Sequence, residues 1–127
     1  DFGFSGLSLD DRIFLAQSDV IRKVADDGPC VIVGRCADYV LKERTNIFNV
    51  FVQASLDFRL KRVVENYGES EKKAGEIILK NDKRRANYYN YHVGEKWTNL
   101  TNYDMVVRSD IAGIDKAVES ICTYLGE

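Results

Sequence analysis

The stretch CVIVGRCADYV, Cys30 to Val40, runs four apolar residues straight into Gly34 and Arg35. A glycine after a buried strand permits a sharp turn, or the close approach of a ligand to the backbone. The arginine that follows carries a planar fork matched to two phosphate oxygens. It would serve equally as half of an ion pair, with Asp38 within reach, so position alone leaves an anion site and a structural pair both open. Asp38 is placed to orient the arginine, to accept from a sugar hydroxyl, or simply to sit as an acid in a first helical turn.

Two further clusters carry charge. In ASLDFRLKRV, Arg59 and Arg62 lie three apart on one helical face while Lys61 points elsewhere. Taken alone, that is a solvated amphipathic face. In LKNDKRRANYYNYH, residues 80–87 hold Lys80, Lys83, Arg84 and Arg85 against Asp82, a local charge of +3 in an acidic chain. Asp82 and Arg85 are three apart, so the carboxylate is expected to hold that guanidinium. Tyr88, Tyr89 and Tyr91 follow at once. Three readings stand: a lid folding cations over a polyphosphate, a nucleic-acid patch with stacking faces beside basic groups, or a solvated basic helix with its tyrosines on the core. His92 reads as a bystander and Trp97 as a packing residue. No serine, cysteine or histidine set suggests covalent catalysis, and no carboxylate pair suggests glycoside chemistry. Cys30, Cys36 and Cys122, with one histidine, make no zinc set.

The elements that must position these residues follow from periodicity and punctuation. Asp10 or Asp11 is expected to cap a helix carrying Ile13, Phe14, Val20, Ile21 and Val24, which Gly28-Pro29 stops. Cys30 to Val33 reads as a strand covered on both faces, and Ala37 opens a short helix ending near Arg44. NIFNVFVQA is a second strand. Ser55 caps a helix from about Leu56 to Tyr67, which Gly68 ends. Ser70 caps a longer helix to about Tyr91, HVGEKWTNLTN is a loop, and YDMVVRS is a third strand. A last helix, Ile114 to Leu125, places Ile114, Ala117, Val118, Ile121 and Leu125 on one face. Apolar strands alternating with helices predict an α/β fold with a parallel sheet. Such sheets bind ligands at the carboxyl ends of their strands, where Gly34-Arg35, Gln53-Ala54 and Arg108-Ser109 fall.

Composition sets the outer bounds. The chain has 127 residues, 45% apolar and 30% charged, the profile of one globular domain. A net charge of −2 and a pI near 5.5 exclude a surface given over wholly to DNA or acidic lipid, so any anion site is local. No apolar run approaches the ~18 residues of a membrane helix, and no signal peptide is visible. Three cysteines without paired spacing predict reduced thiols and a cytoplasmic protein. The opening DFGFSGLSLD reads as though cut from something longer.

In this order, CVIVGRCADYVL, NVFVQASLDFRLKRV, NDKRRANYY and NYDMVVRSD before a final amphipathic helix resemble the cytidylate kinase-like family of P-loop kinases. The resemblance spans about residues 10–127. It implies a three-layer α/β sandwich with a parallel sheet of P-loop NTPase type, with residues 1–127 as a single partial domain and a lid-like helical segment at about 70–95. It implies a nucleotide phosphotransferase that passes the ATP γ-phosphoryl group to a nucleoside monophosphate. By similarity, Gly34, Arg35 and Asp38 would hold the acceptor. Asp82, Lys83, Arg84 and Arg85 would form the lid, with Arg35 and Arg85 catalytic. Arg59 and Arg62 would face the phosphoryl donor. Cys36 stands where cytidylate kinases usually carry aspartate, and Asn81 and Tyr88 replace further charged lid residues, so the acceptor base is left open.

Nothing in the chain matches G-x-x-x-x-G-K-[ST]; Gly3, Gly6 and Gly28 do not supply it. In the family that loop holds ATP and Mg2+ and lies upstream, after a strand that sits between those placed here at 30–34 and 47–53. The chain is therefore expected to be a carboxyl-terminal portion lacking the N-terminal strands. Alone it would be unstable, or would pair with another chain, for instance as a homo-oligomer. Two other classes fit parts of the pattern: a non-catalytic relative that binds a nucleotide or a partner, and an RNA-binding module whose affinity would fall steeply with salt. The acidic pI weighs against the second.

Overall fold

The computed structural model describes residues 6–126; the opening residues 1–5, including Gly3, lie outside them. In chain order the elements are α1 (Leu9–Asp27), α2 (Ala37–Val40), β1 (Val50–Gln53), α3 (Leu56–Tyr67), α4 (Glu71–Val93), a 3-10 turn (Leu100–Asn102), β2 (Met105–Arg108), α5 (Ser109–Ala112) and α6 (Ile114–Tyr124). Serine hydroxyls set three helix starts by accepting otherwise unpaired N–H groups. Ser8 Oγ accepts from Asp11 N–H at 3.1 Å, so α1 begins before the acids expected to cap it. Ser55 Oγ accepts from Phe58 N–H at 3.2 Å and Ser70 Oγ from Lys73 N–H at 3.2 Å. Gly68, at φ 71°, ends α3 in a left-handed cap, its N–H donating to the Val64 carbonyl.

Packing divides the chain into two compact units, one running through Ile47 and including Tyr89–Glu95, the other comprising Phe48–Tyr88 and the chain from Lys96. In the first unit, Ile21, Ala37 and Leu41 are buried, with Ala25, Ile32, Val40 and Ile47 packed on them. The strand expected over 30–33 is not formed. These residues carry no ladder, and Val31 and Val33 are 93% and 86% exposed while Ile32 packs inward. The period-two pattern survives, but a strand needs a neighbour for its N–H and C=O groups, and none pairs with this segment among the described residues. The short helix also stops at Val40 rather than near Arg44.

In the second unit β1 and β2 pair in parallel, with Val50 opposite Met105 and Gln53 opposite Arg108. Among the described residues the sheet thus has two strands, not three, and both end at the same level. Asn49 locks the amino end: its N–H donates to Asp104 Oδ2 at 2.7 Å, and its carbonyl accepts from Asp104 N–H at 2.8 Å. Phe51, 8% exposed, lies against Trp97 and Tyr103, with ring centroids 5.6 and 4.9 Å away. Tyr103 Oη donates to the Trp97 carbonyl at 2.7 Å, tying the loop after α4 to the same cluster. Val107 and Ala117 are buried, but Val118 and Leu125, expected on the same covered face of α6, are more than half exposed. Among the described residues no helix is long and apolar enough to cross a membrane.

Phe51 packs against two aromatic residues at once, Trp97 and Tyr103, so its truncation leaves a cavity as well as lost contacts. Phe51→Ala is expected to lower unfolding free energy by about 3 kcal/mol or more in urea titration. A loss under about 1 kcal/mol would show that this cluster does not hold the unit.

Candidate functional site

The backbone at the end of the CVIV run turns left-handed for three residues. Gly34 has φ 71°, Arg35 φ 57° and Cys36 φ 59°. Glycine adopts this region freely, but Arg35 and Cys36 carry a Cβ that crowds the following carbonyl, costing roughly 1–2 kcal/mol each. The turn is closed by hydrogen bonds from Ala37 N–H to the Gly34 carbonyl at 3.2 Å, and from Tyr39 and Val40 N–H to the Cys36 carbonyl at 3.0 Å each. Cys36 and Ala37 are buried at 5% and 9% exposure, while Arg35 between Gly34 and Cys36 is exposed. The chain therefore sinks immediately after the arginine, which is itself exposed.

Asp38 sits in the first turn of α2. Its Oδ1 accepts from Tyr39 N–H at 2.8 Å, and its Oδ2 accepts from Tyr89 Oη at 2.8 Å. The carboxylate that the sequence offers to Arg35 or to a sugar is thus bonded to a phenol 51 residues away. Cys36 Sγ is no nucleophile at neutral pH. Burial, then the Asp38 charge, push its thiol from 9.0 up to about 11, partly offset by Arg35. Cys30 and Cys122 are exposed and Cys36 is buried, and none of the three is in a disulfide.

The lid residues lie on α4 in the second unit, and their pairing differs from the expected one. Asp82 is held not by Arg85 but by Arg59 of α3, whose Nη2 donates to both carboxylate oxygens at 2.6 Å. A guanidinium on a neighbouring helix meets both oxygens, a geometry that outcompetes an i,i+3 contact along one helix. Arg85 instead lies over the Trp97 ring, 4.6 Å from its centroid. Arg84 Nη2 donates to Asn81 Oδ1 at 2.6 Å, and Lys83 and Arg62 are exposed. Of the tyrosines offered as stacking faces, Tyr89 is buried at 6% exposure, whereas Tyr91 is 67% exposed. His92 stacks on Phe14, centroids 4.1 Å apart, a packing role consistent with a bystander.

At the carboxyl end of the sheet one residue stands out that sequence reasoning passed over. Asp110 Oδ2 accepts from Ser55 N–H at 2.9 Å, and Arg108 grips both its oxygens, Nε to Oδ1 at 2.9 Å and Nη2 to Oδ2 at 2.7 Å. Ser109 Oγ donates to the Gln53 carbonyl at 3.4 Å. The signal was present as an arginine and an aspartate two apart after a strand. The partner that gives it meaning, Ser55, is 55 residues away. The Arg108 guanidinium, with help from Ser55 N–H, holds the Asp110 carboxyl well below its ordinary value of 3.8, against the opposing effect of burial.

Two shallow hollows open on the surface. One, of about 400 Å³ in the first unit, is lined by Phe14, Ser18, Arg22, Tyr39, Lys42 and Arg44, among others. The other, of about 590 Å³ in the second unit, lies between α3 and α4 at Leu56, Leu60, Gly75 and Leu79. Arg35 lines neither. Among the described residues no three histidine, cysteine or acidic side chains gather where a metal ion could be held.

The profile of the cytidylate kinase-like family matches residues 2–111, and the chain belongs to that family. A crystal structure of an uncharacterized protein from Eubacterium ventriosum ATCC 27560 superposes with a TM-score of 0.86 at 32% identity. The alignment covers 98% of this chain and 70% of that one. No curated protein matches the chain. The mixed α/β architecture with a parallel sheet thus recurs in a solved relative, and the family places the chain among kinase-like, nucleotide-related proteins.

The Asp110 clasp makes a pH prediction. The unfolded carboxyl binds a proton more readily than the folded one. The clasp therefore stabilises the fold above the ordinary carboxylate value, and this stability is lost as pH falls below it toward the depressed folded value. Asp110→Asn is expected to lower Tm at neutral pH and to flatten the decline of Tm from about pH 5 to about pH 3. Wild-type and variant Tm curves that stay parallel across that range would contradict it.

Proposed function

We propose that this chain carries the acceptor-binding and lid portions of a nucleotide phosphotransferase that moves the ATP γ-phosphoryl group to a nucleoside monophosphate. The observation that carries the reading is Arg35: an exposed arginine on a left-handed turn, inside the span matched by a kinase-like family. A strained backbone that presents one cation is a feature concentrated at ligand clamps, and a guanidinium fork suits a terminal phosphate better than it suits water.

In this mechanism Arg35 and the Gly34 backbone receive the monophosphate. Lys83, Arg84 and Arg85 supply positive charge to the transferring phosphoryl group when the lid closes, which also excludes water so that transfer competes with hydrolysis. Asp82 orients Arg59, and Arg62 adds charge on the same helix. Phosphoryl transfer asks mainly for positioning and charge neutralisation, and the protonated Cys36 thiol is consistent with a route that forms no covalent enzyme intermediate. ATP with Mg2+ is the proposed donor. The described residues gather no set of metal ligands, so no step is assigned to the ion.

A finer fold assignment accompanies the proposal: a three-layer sandwich of P-loop NTPase type in which a further strand pairs with residues 30–34. The exposed, unladdered Val31 and Val33 support it. Three free thiols support a reducing, cytoplasmic setting.

Removing a bidentate arginine from such a site is worth on the order of 2–4 kcal/mol of transition-state stabilisation. In a coupled assay of the full-length protein with ATP and CMP, dCMP, UMP or AMP, Arg35→Ala is expected to lower turnover at least about tenfold without lowering Tm. Unchanged kinetics would remove Arg35 from the site, and no turnover of any acceptor by the wild type would favour a binding protein instead.

A further inference from the structure

The Tyr89 phenol has no role in the chemistry proposed above, yet it is buried at 6% exposure and hydrogen-bonded to the helix that follows the turn carrying Arg35. Its Oη donates to Asp38 Oδ2 at 2.8 Å, while Asp38 Oδ1 accepts from Tyr39 N–H at 2.8 Å. Both carboxylate oxygens are thus fixed, and the side chain cannot rotate without breaking one of these bonds. Asp38 lies three residues after Arg35, directly beyond the buried pair Cys36 and Ala37. Two left-handed, non-glycine residues in succession persist only where the surroundings over-determine them. The buried pair holds the turn from within; the Tyr89–Asp38 bond holds the first turn of α2 from outside it.

We infer that Tyr89 is a positioning residue for the anion site, its phenol fixing Asp38 so that the Gly34–Arg35–Cys36 turn keeps Arg35 aimed at a phosphate. The inference rests on the acceptor-site reading of Arg35. It explains why a tyrosine, rather than phenylalanine, occupies a buried position: the ring fills space and the hydroxyl does the aiming. Asp38 is therefore engaged in presenting the arginine rather than in touching a sugar.

The test separates aiming from folding by comparing a phosphorylated ligand with its unphosphorylated counterpart. Binding of CMP, UMP and AMP, and of the corresponding nucleosides, is measured calorimetrically for the full chain and for Tyr89→Phe, Asp38→Asn, the double variant and Arg35→Ala. Tyr89→Phe keeps the ring, so the core stays filled. Loss of one hydrogen bond is expected to raise the monophosphate Kd roughly three- to tenfold while leaving nucleoside binding unchanged. The double variant should bind no worse than the poorer-binding single one, because both substitutions act on the same bond.

If Arg35→Ala abolishes the preference for phosphate while Tyr89→Phe binds like the wild type, the positioning role is overturned and the acceptor site stands. If Tyr89→Phe weakens nucleoside and monophosphate equally, its role is merely structural and the inference fails. If Arg35→Ala changes nothing, or the wild type binds no monophosphate, the acceptor-site reading falls and the inference falls with it.

Discussion

Two adjacent side-chain-bearing residues held at positive φ, Arg35 at 57° and Cys36 at 59°, are the constraint around which this chain's site is organised. An unrestrained peptide would relax out of that conformation, because each Cβ is crowded by its own backbone. The fold opposes relaxation by burying Cys36 and Ala37 and by starting α2 at once, so that the Cys36 carbonyl accepts from two N–H groups. The same arrangement keeps the Cys36 thiol protonated and leaves Arg35 at the surface. Strain, burial and an exposed cation are therefore three views of one local geometry, and the functional proposal follows from the third.

The second unit has its own fixed points, and they too are polar. The parallel register of β1 and β2 brings Gln53 and Arg108 to one level, and Asp110 then joins the two strand ends through Ser55 N–H and Arg108. The Arg59–Asp82 pair links α3 to α4. Each partner is about one-third exposed, and pairs of that kind contribute at most about 1 kcal/mol. Its significance is directional: the acid of the 80–87 stretch, Asp82, is neutralised by a cation from outside that stretch, and Lys83 is left exposed on the helix surface.

What was legible in the sequence was what is decided locally. Ser55 and Gly68 bracket a helix that runs from Leu56 to Tyr67 as read, because a hydroxyl cap and a left-handed glycine act within a turn of the residues they end. The Gly-Arg turn was legible for the same reason. The strand at 30–33 was not, since its apolar run is shared by any segment that alternates inward and outward, and a ladder depends on a neighbour the local sequence does not name. The polar pairs failed for a related reason. Arg59 and Asp82 are separated by 23 residues, Asp38 and Tyr89 by 51, and Ser55 and Asp110 by 55. In two of these cases local spacing offered a nearer partner, Arg85 for Asp82 and Arg35 for Asp38, and the structure shows a distant one instead.

The central claim is that the turn at 34–36 presents Arg35 to the anionic end of a nucleotide. Its most direct test is an NMR titration of the isotope-labelled chain with a nucleoside monophosphate and, separately, with its parent nucleoside. The account predicts saturable shifts of the Gly34 to Ala37 amides and of Arg35 Nε with the monophosphate, and none at these positions with the nucleoside. Saturable binding that moves other residues and leaves Gly34, Arg35 and Cys36 unperturbed would contradict it.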